Sequence, residues 1–132
     1  MLSLLSIITI TYNNQEDFSK TYKSLNIFRD AGGKHIIVNG GKSVNQLVKN
    51  DCHLLEEPDE GIYDALNKGI DLVSTPYFML IHSGDFLVAA IDVLEEQVAL
   101  MEERQLDILL NDCTIEFGKG QRLMSSAQNM MS

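Results

Sequence analysis

The sequence predicts an α/β fold, a mostly parallel sheet flanked by helices on both faces. Short apolar segments rich in β-branched residues alternate with segments whose apolar residues recur at helical spacing, a pattern typical of βαβ units. Two of the strand segments, 6–12 and 77–81, are apolar on both faces and therefore need cover above and below. The length of 132 residues suits one domain with its own core. Because we find no repeat or linker, we predict a single domain over residues 1–132.

The first strand is predicted at 6–12, where Ile and Thr dominate. A helix follows it, because four apolar residues recur at helical spacing. These residues are Phe18, Tyr22, Leu25 and Phe28. Asn14 with Asp17 is expected to cap this helix, and Gly32 with Gly33 ends it.

The second strand is predicted at 35–39 and is broken by Gly40 and Gly41. A short helix is predicted at 43–49. A weak third strand is predicted at 53–56.

Two further helices and two strands complete the prediction. The first helix lies between Pro58 and Pro76, and a central strand follows at 77–81. The inward face of this helix is expected to be formed by Ile62, Leu66, Ile70 and Val73. Asp92 and Glu95 are expected to cap the second helix. That helix points Leu94, Val98 and Met101 inward and exposes Glu95, Glu96, Glu102 and Glu103.

A last strand runs from residue 107 towards 117, and no element is predicted from residue 125 onward. The predicted core is Ile8, Ile10, Leu25, Ile37, Val38, Leu66, Ile70, Phe78, Leu80, Leu94 and Val98.

Charge and hydropathy exclude several classes of protein. Ten Lys and Arg residues against 19 Asp and Glu residues give a net charge of −9. This balance argues against nucleic-acid binding, which needs a basic face, and against docking on an anionic membrane. No apolar run approaches the roughly 20 residues that span a bilayer. The amino terminus does not resemble a signal peptide, so a cytoplasmic protein is expected.

A parallel sheet binds ligands beyond the carboxyl ends of its strands. The corresponding segments here are 11–14, 39–42, 57–61 and 82–85. Neither GxGxxG nor GxxxxGK[ST] is present, so a dinucleotide site and a P-loop are not supported.

Two groups of polar residues stand out near these segments. An apolar strand delivers Asp85 beside Gly84, and a carboxylate suits Mg²⁺ or Mn²⁺ bridged to phosphates; the alternative is that Asp85 caps a turn. Asp64 and Lys68 lie four residues apart on one helical face. The alternative there is that Asp59 caps the helix while Asp64 and Lys68 form a surface pair.

Four motifs, in order along residues 4–117, resemble the family-2 glycosyltransferases with the GT-A fold. The first is Ser6-Ile7-Ile8-Thr9-Ile10-Thr11-Tyr12-Asn13, and the second is Ile36-Ile37-Val38-Asn39-Gly40-Gly41. The third, from Glu57 to Gly69, is the most specific and resembles bacterial transferases that build surface and exopolysaccharides. The fourth is Leu80-Ile81-His82-Ser83-Gly84-Asp85, in the place of the family's metal-binding DxD-type motif.

The resemblance implies a nucleotide-diphosphate sugar donor, most often a UDP-sugar, held with Mn²⁺ or Mg²⁺. Asp85 would take the metal, with Ser83 and Gly84 beside it in the motif. Thr11, Tyr12 and Asn13 would lie along the nucleoside, and Asn39 would contact the base or ribose. Asp59 would face the donor pocket, and Asp64 with Lys68 would support or touch it. A saccharide or lipid-linked acceptor is implied.

Three departures from the family pattern limit this assignment. Asn39 replaces the usual Asp, and Ser83-Gly84-Asp85 offers one carboxylate where many relatives have two. The acceptor half and its general base have no match, so the chain corresponds to a truncated, donor-binding half. We expect it to be inactive or nearly so by itself, and the catalytic residue stays unknown. The full-length form would work at the inner face of the membrane.

Two alternatives remain beside the transferase. A non-catalytic nucleotide-sugar-binding module would fold in the same way. A signalling receiver domain would need an acidic pair after its first strand, where this chain has Asn13 and Asn14. An uncovered apolar surface near residues 109–117 is also expected to mediate self-association, and so a homo-oligomer.

Overall fold

A computed structural model describes residues 2–88 and 90–107, together with the backbone of two later strands. The strands are β1 (Leu5–Thr11), β2 (Lys34–Asn39), β3 (His53–Glu56), β4 (Tyr77–Leu80), β5 (Cys113–Phe117) and β6 (Gln121–Ser125). The helices are α1 (Gln15–Ser24), α2 (Asn26–Asp30), α3 (Ile62–Asp71) and α4 (Ile91–Arg104). The chain divides into two compact units, Met1–Glu95 and Glu96–Ser132. The single-domain assignment stays a prediction.

The first unit is built on a four-stranded sheet in the order β3-β2-β1-β4, and all three pairs are parallel. β1 is buried along its whole length, as its β-branched sequence predicts. The prediction that β4 is a central strand buried on both faces is wrong. β4 stands at the end of this order, and Phe78 and Leu80, both predicted to be core residues, are 45% and 38% exposed.

Helices cover the two faces of the sheet, as predicted. On one face, Phe18 and Tyr22 of α1 pack with Ile37 of β2. On the other face, Ala65 of α3 packs with Val38, the next residue of β2. Since neighbouring residues of a strand point to opposite faces, the sheet lies between two apolar layers.

α3 packs through small residues rather than the large ones that were predicted. Ala65 and Gly69 are its buried residues, and a Cβ on Gly69 would lie only 2.7 Å from Ile8 Cγ2. The predicted core position of Ile70 is wrong, because this side chain is 38% exposed, and Leu66 is only partly buried. The helix approaches the sheet so closely that only small side chains fit between them.

The first predicted helix is two helices, because the helix breaks at Leu25 between α1 and α2. Its predicted apolar stripe is nevertheless buried throughout. Asn14 is at the N-cap position of α1, but its side chain makes no capping hydrogen bond to the backbone of the described residues. Its Nδ2 donates instead to Asp17 Oδ2 at 2.9 Å. The helix predicted at 43–49 is only a short 3₁₀ turn at Asn45–Leu47.

The second unit contains most of α4 and the antiparallel pair of β5 and β6. Leu94, Val98 and Met101 of α4 are buried, and its four predicted acidic residues are exposed, as expected. β6 lies where no element was predicted. The self-association surface predicted near 109–117 lies outside the described side chains. No helix of the described residues is long and apolar enough to cross a membrane.

A polar cluster around the buried side chains of Arg29 and His35 was not predicted. Its centre is the Arg29 guanidinium, whose Nε donates to Asp51 Oδ2 at 3.1 Å and whose Nη1 donates to His35 Nδ1 at 2.8 Å. Nη2 donates to the Tyr22 carbonyl at 2.8 Å and to Asn26 Oδ1. The guanidinium also lies 3.7 Å above the Tyr22 ring. This arrangement ties α1, α2, β2 and the segment before β3 together.

The tautomer of His35 follows from its two partners. Arg29 can only donate, so Nδ1 must be the acceptor, and Nε2 donates to Thr9 Oγ1 at 2.7 Å. Burial and the nearby Arg29 charge lower the pKa of His35 from 6.5 to about 3. The ring is therefore neutral at pH 7.

Candidate functional site

The carboxyl ends of β1, β2 and β4 lie side by side. The pairing of β4 with β1 continues past the strand, since Ile81 N–H donates to the Ile8 carbonyl at 3.0 Å and Ser83 N–H donates to the Ile10 carbonyl at 3.1 Å. On the other side of β1, Gly40 N–H donates to the Thr11 carbonyl at 3.3 Å. The motif that carries Ser83 and the motif that follows β2 thus flank the end of β1, as the parallel order predicts.

Two glycines bring separate segments together at this edge. A Cβ on Gly40 would lie 2.1 Å from Asp59 Oδ2, and a Cβ on Gly41 would lie 2.3 Å from Asn13 Oδ1. Asn13 Oδ1 also accepts a hydrogen bond from Lys42 N–H at 2.7 Å. The sequence motifs that contain Asn13 and Asp59 therefore meet at the end of β2.

Gly41→Ala should disturb this junction. The added methyl group would also lie 2.7 Å from the Asn13 backbone nitrogen, and backbone cannot rotate away as a side chain can. We expect a loss of about 1–3 kcal/mol in unfolding free energy, measured by chemical denaturation, together with weaker nucleotide binding. Gln46→Ala, at an exposed position of the neighbouring 3₁₀ turn, is the control and should change the unfolding free energy by less than about 0.5 kcal/mol. An unchanged stability for Gly41→Ala would contradict this account.

Asn39 sits at the centre of the loop after β2 and is 1% exposed. Its Nδ2 donates to the Lys42 carbonyl and to Glu56 Oε2, both at 2.7 Å. Its Oδ1 accepts from Gly41 N–H at 3.0 Å. The contact with base or ribose that was predicted for Asn39 stays a prediction, and the side chain is already occupied within the protein.

The turn before α3 is organised by Lys68. Its Nζ donates to the Pro58 carbonyl at 2.8 Å and lies 3.2 Å from Glu57 Oε1 and 3.5 Å from Asp64 Oδ2. Desolvation alone would lower the pKa of Lys68, but the hydrogen bond that Lys68 donates to Glu57 and the charges of Asp64 and Glu57 outweigh it, and the pKa is raised. Lys68 therefore ties both ends of the turn that carries Asp59.

The carboxylates of this turn accept backbone hydrogen bonds. Asp64 Oδ2 accepts from Glu60 N–H at 2.9 Å, which is the main reason that the pKa of Asp64 is lowered. Asp59 Oδ1 accepts from Gly61 N–H at 3.2 Å. These bonds give Asp64 a role in shaping the turn, and its predicted role at the donor pocket stays a prediction.

The remaining predicted residues lie along the ends of β1 and β4. The Tyr12 side chain is 66% exposed, whereas the Oγ atoms of Thr11 and Ser83 are buried and have no hydrogen-bond partner among the described residues. Gly84 has a φ of +99°, and its N–H donates to Thr21 Oγ1 of α1 at 2.8 Å. This bond fixes the turn that carries Asp85.

Asp85 is an exposed carboxylate on this turn. Within residues 2–88 and 90–107, no group of three or more His, Cys, Asp or Glu side chains could hold a metal ion. One carboxylate together with the phosphates of a ligand is nevertheless an arrangement that Mg²⁺ accepts. The chemistry of the donor set thus fits the predicted cation, provided that a diphosphate completes the site.

Glu56 is the residue of this edge that the sequence did not single out. It ends β3, and its carboxylate accepts from Asn39 Nδ2, Ser43 Oγ and Val44 N–H at 2.7–2.8 Å. Its only signal in the sequence is an acidic residue at the end of an apolar strand, which equally fits a solvated strand end.

Comparison with known proteins relates this chain to glycosyltransferases. Two curated proteins of Mycobacterium tuberculosis, the uncharacterized glycosyltransferases Rv1514c (strain H37Rv) and MT1564 (strain CDC 1551), are each 33% identical over 88 residues. The match covers 61% of this chain and 34% of each relative. The chain therefore spans about a third of the length of these relatives. No protein-family model matches it.

The fold is shared with a solved structure, TarS of S. aureus. The TM-score is 0.64 at 20% identity, over 80% of this chain and 21% of TarS. The predicted α/β fold with a parallel sheet flanked by helices is confirmed. The chain is similar in sequence to two proteins named as glycosyltransferases and shares its fold with TarS, and the narrower family-2 assignment stays a prediction.

Proposed function

We propose that this chain binds the nucleotide-diphosphate part of a sugar donor, with UDP as the nucleotide, as the donor-binding part of a glycosyltransferase. The observation that carries the proposal is the meeting of the four motifs at the carboxyl ends of β1, β2 and β4. There Asn13 and Asp59 converge on Gly40 and Gly41, and the turn that carries Asp85 is paired to β1. The transferase as a whole would add the sugar to a saccharide or lipid-linked acceptor in polysaccharide biosynthesis.

In this proposal the nucleoside lies over the end of β1. The exposed Tyr12 ring is available to pack against a base. Asn13 and Asp59 flank the loop after β2, where polar groups can bind the base or ribose. Ser83 and Gly84 form the approach to the diphosphate.

Diphosphate binding would be assisted by a divalent cation. A protein with a net charge of −9 repels a diphosphate unless a cation intervenes. We propose that Asp85 binds Mn²⁺ or Mg²⁺ together with the phosphates. When bound, the cation would neutralise charge on the leaving diphosphate.

UDP binding should depend on Mn²⁺ and on Asp85. We expect calorimetric titration to show UDP binding in Mn²⁺ that falls at least about tenfold in chelator, the effect of losing roughly 1.4 kcal/mol. Asp85→Asn should cause the same loss and leave the melting temperature unchanged. Asp71→Asn, at an exposed position at the end of α3, is the control.

The outcomes separate the parts of the proposal. UDP binding that is equal in Mn²⁺ and chelator would overturn the metal assignment alone. The absence of UDP binding in all conditions would overturn the nucleotide site. Acceptor-dependent release of UDP from a UDP-sugar by this chain would contradict the non-catalytic binding module and the expectation that the donor-binding part is inactive by itself.

A further inference from the structure

We propose that Glu56 and Asn39 are a positioning pair that fixes the loop 40–44, and that Asn39 serves the nucleotide through this loop rather than by touching it. The second half of this inference rests on the proposed function, because it assumes that a nucleotide lies against the loop. The first half concerns the protein alone and can be tested without a ligand.

The hydrogen-bonding groups of Asn39 are directed into the protein. Its Nδ2 makes two short bonds, to the Lys42 carbonyl and Glu56 Oε2, and Nδ2 has only two protons to give. Its Oδ1 accepts from Gly41 N–H, and the side chain is 1% exposed. A base or ribose could be contacted only after these bonds break.

Glu56 completes the loop from the other side. Three donors converge on its carboxylate, one from β2 and two from the loop itself, namely Asn39 Nδ2, Ser43 Oγ and Val44 N–H. Burial raises the pKa of Glu56, but these three hydrogen bonds outweigh burial and lower it. The carboxylate is therefore ionised at neutral pH and acts as an anion around which the loop folds.

This arrangement also explains why an amide occupies position 39. An aspartate there would place a second carboxylate next to Glu56 Oε2, at the site where Asn39 Nδ2 lies 2.7 Å away. Two carboxylates at such a distance cannot both be ionised without a large cost, and one of them keeps its proton. The amide instead donates to Glu56, and so converts a repulsion into a hydrogen bond.

The first test measures amide hydrogen exchange in the full chain. In Glu56→Gln, we expect exchange at Gly41 and Val44 to quicken at least about tenfold, because the loop opens locally. Amides of β1 should keep their protection, which shows that the fold is intact. Glu57→Gln is the matched control, since this neighbouring carboxylate pairs with Lys68 and makes no described contact with the loop. Unchanged exchange at Gly41 and Val44 would overturn the positioning role.

A second variant keeps the proposal testable if Glu56→Gln loosens the whole chain. In Asn39→Asp, the carboxylates of residues 39 and 56 share one proton at low pH and repel each other once it is lost. The melting temperature of this variant, relative to that of wild type, should therefore fall as the pH rises from 4 to 7. Adding Glu56→Gln to Asn39→Asp should remove this dependence on pH. An Asn39→Asp variant whose melting temperature follows that of wild type across this range would contradict the pairing.

UDP titration in Mn²⁺ then tests the link to the nucleotide. If the loop is ordered only a tenth of the time in Glu56→Gln, the dissociation constant rises about tenfold. Undiminished UDP affinity in a variant whose Gly41 and Val44 amides have lost nearly all protection would overturn the link and leave the proposed function standing. A wild-type chain that binds no UDP would overturn the proposed function and, with it, the link, while the exchange result still decides the role of Glu56.

Discussion

Arg29→Met should lower the unfolding free energy by about 2–3 kcal/mol, the upper part of the usual cost of leaving a buried polar group without its hydrogen-bond partner, since the Asp51 side chain is 36% exposed and can be solvated. The side chain of Arg29 is 1% exposed, and its removal leaves the buried His35 Nδ1 without its donor, whereas the Tyr22 carbonyl still accepts from Leu25 N–H at 3.2 Å. The contact with the Tyr22 ring is lost as well. Methionine has a similar volume, so the loss would reflect the missing hydrogen bonds rather than a cavity.

Urea denaturation followed by circular dichroism measures this change. Lys20→Met is the matched control, because the ion pair of Lys20 with Glu16 is exposed, with side chains 57% and 85% accessible. Such pairs contribute at most about 1 kcal/mol. Equal effects of Arg29→Met and Lys20→Met would show that the buried cluster does not stabilise the fold.

Stability should also decrease as the pH falls below neutral, because of His35. The pKa of this ring is about 3 in the folded chain and 6.5 as the ordinary value. Between these two values the unfolded chain binds a proton that the folded chain does not, so the unfolding free energy falls as the pH falls from about 6.5 to about 3. The whole window corresponds to a loss on the order of 4 kcal/mol, of which about 2 kcal/mol falls between pH 7 and pH 5.

His35→Asn isolates this contribution. The asparagine oxygen can replace Nδ1 as the acceptor for Arg29, but the side chain does not titrate. The variant should be less stable than wild type at pH 7 and should lose less stability between pH 7 and pH 5. This range lies above the pH at which Asp51 and Glu56, whose pKa values are lowered, take up protons. Parallel pH profiles for the two proteins would disprove the assignment.

The strands and the order of elements could be predicted from the sequence because their signals are local. β1 and β2 are continuous apolar segments, and both are buried almost throughout. The motifs after β1 and β2 were also correctly expected at one edge, since parallel strands end on the same side. The prediction of β4 as a central strand failed because an apolar segment does not reveal which neighbours a strand has.

Packing between elements was harder to predict. Helical periodicity gives most weight to large residues such as Ile62 and Ile70, yet α3 approaches the sheet through Ala65 and Gly69. Which residues of α3 face the sheet depends on the distance between helix and sheet, which is set here by Ile8 beneath Gly69. The pattern of residues within one segment gives no information about this distance.

Polar pairs between distant segments were missed for a related reason. Glu56 and Asn39 are 17 residues apart, and Arg29 and Asp51 are 22 apart. Each of these residues alone fits a surface position. Only the fold shows that they face one another. In the cluster around Arg29, four hydrogen bonds from the guanidinium offset the cost of burying its charge.

The bond between Gly84 N–H and Thr21 Oγ1 has a consequence for the order in which the site assembles. Its partners are 63 residues apart in the chain. By contrast, Lys42 and Asn13, which join the other side of the site, are 29 apart. The entropy lost on closing a loop grows only slowly with its length, but the segments of the proposed nucleoside side all precede β4 in the chain. The turn that carries Asp85 requires the pairing of β4 with β1, so the proposed diphosphate side of the site depends on a part of the chain that is synthesised later.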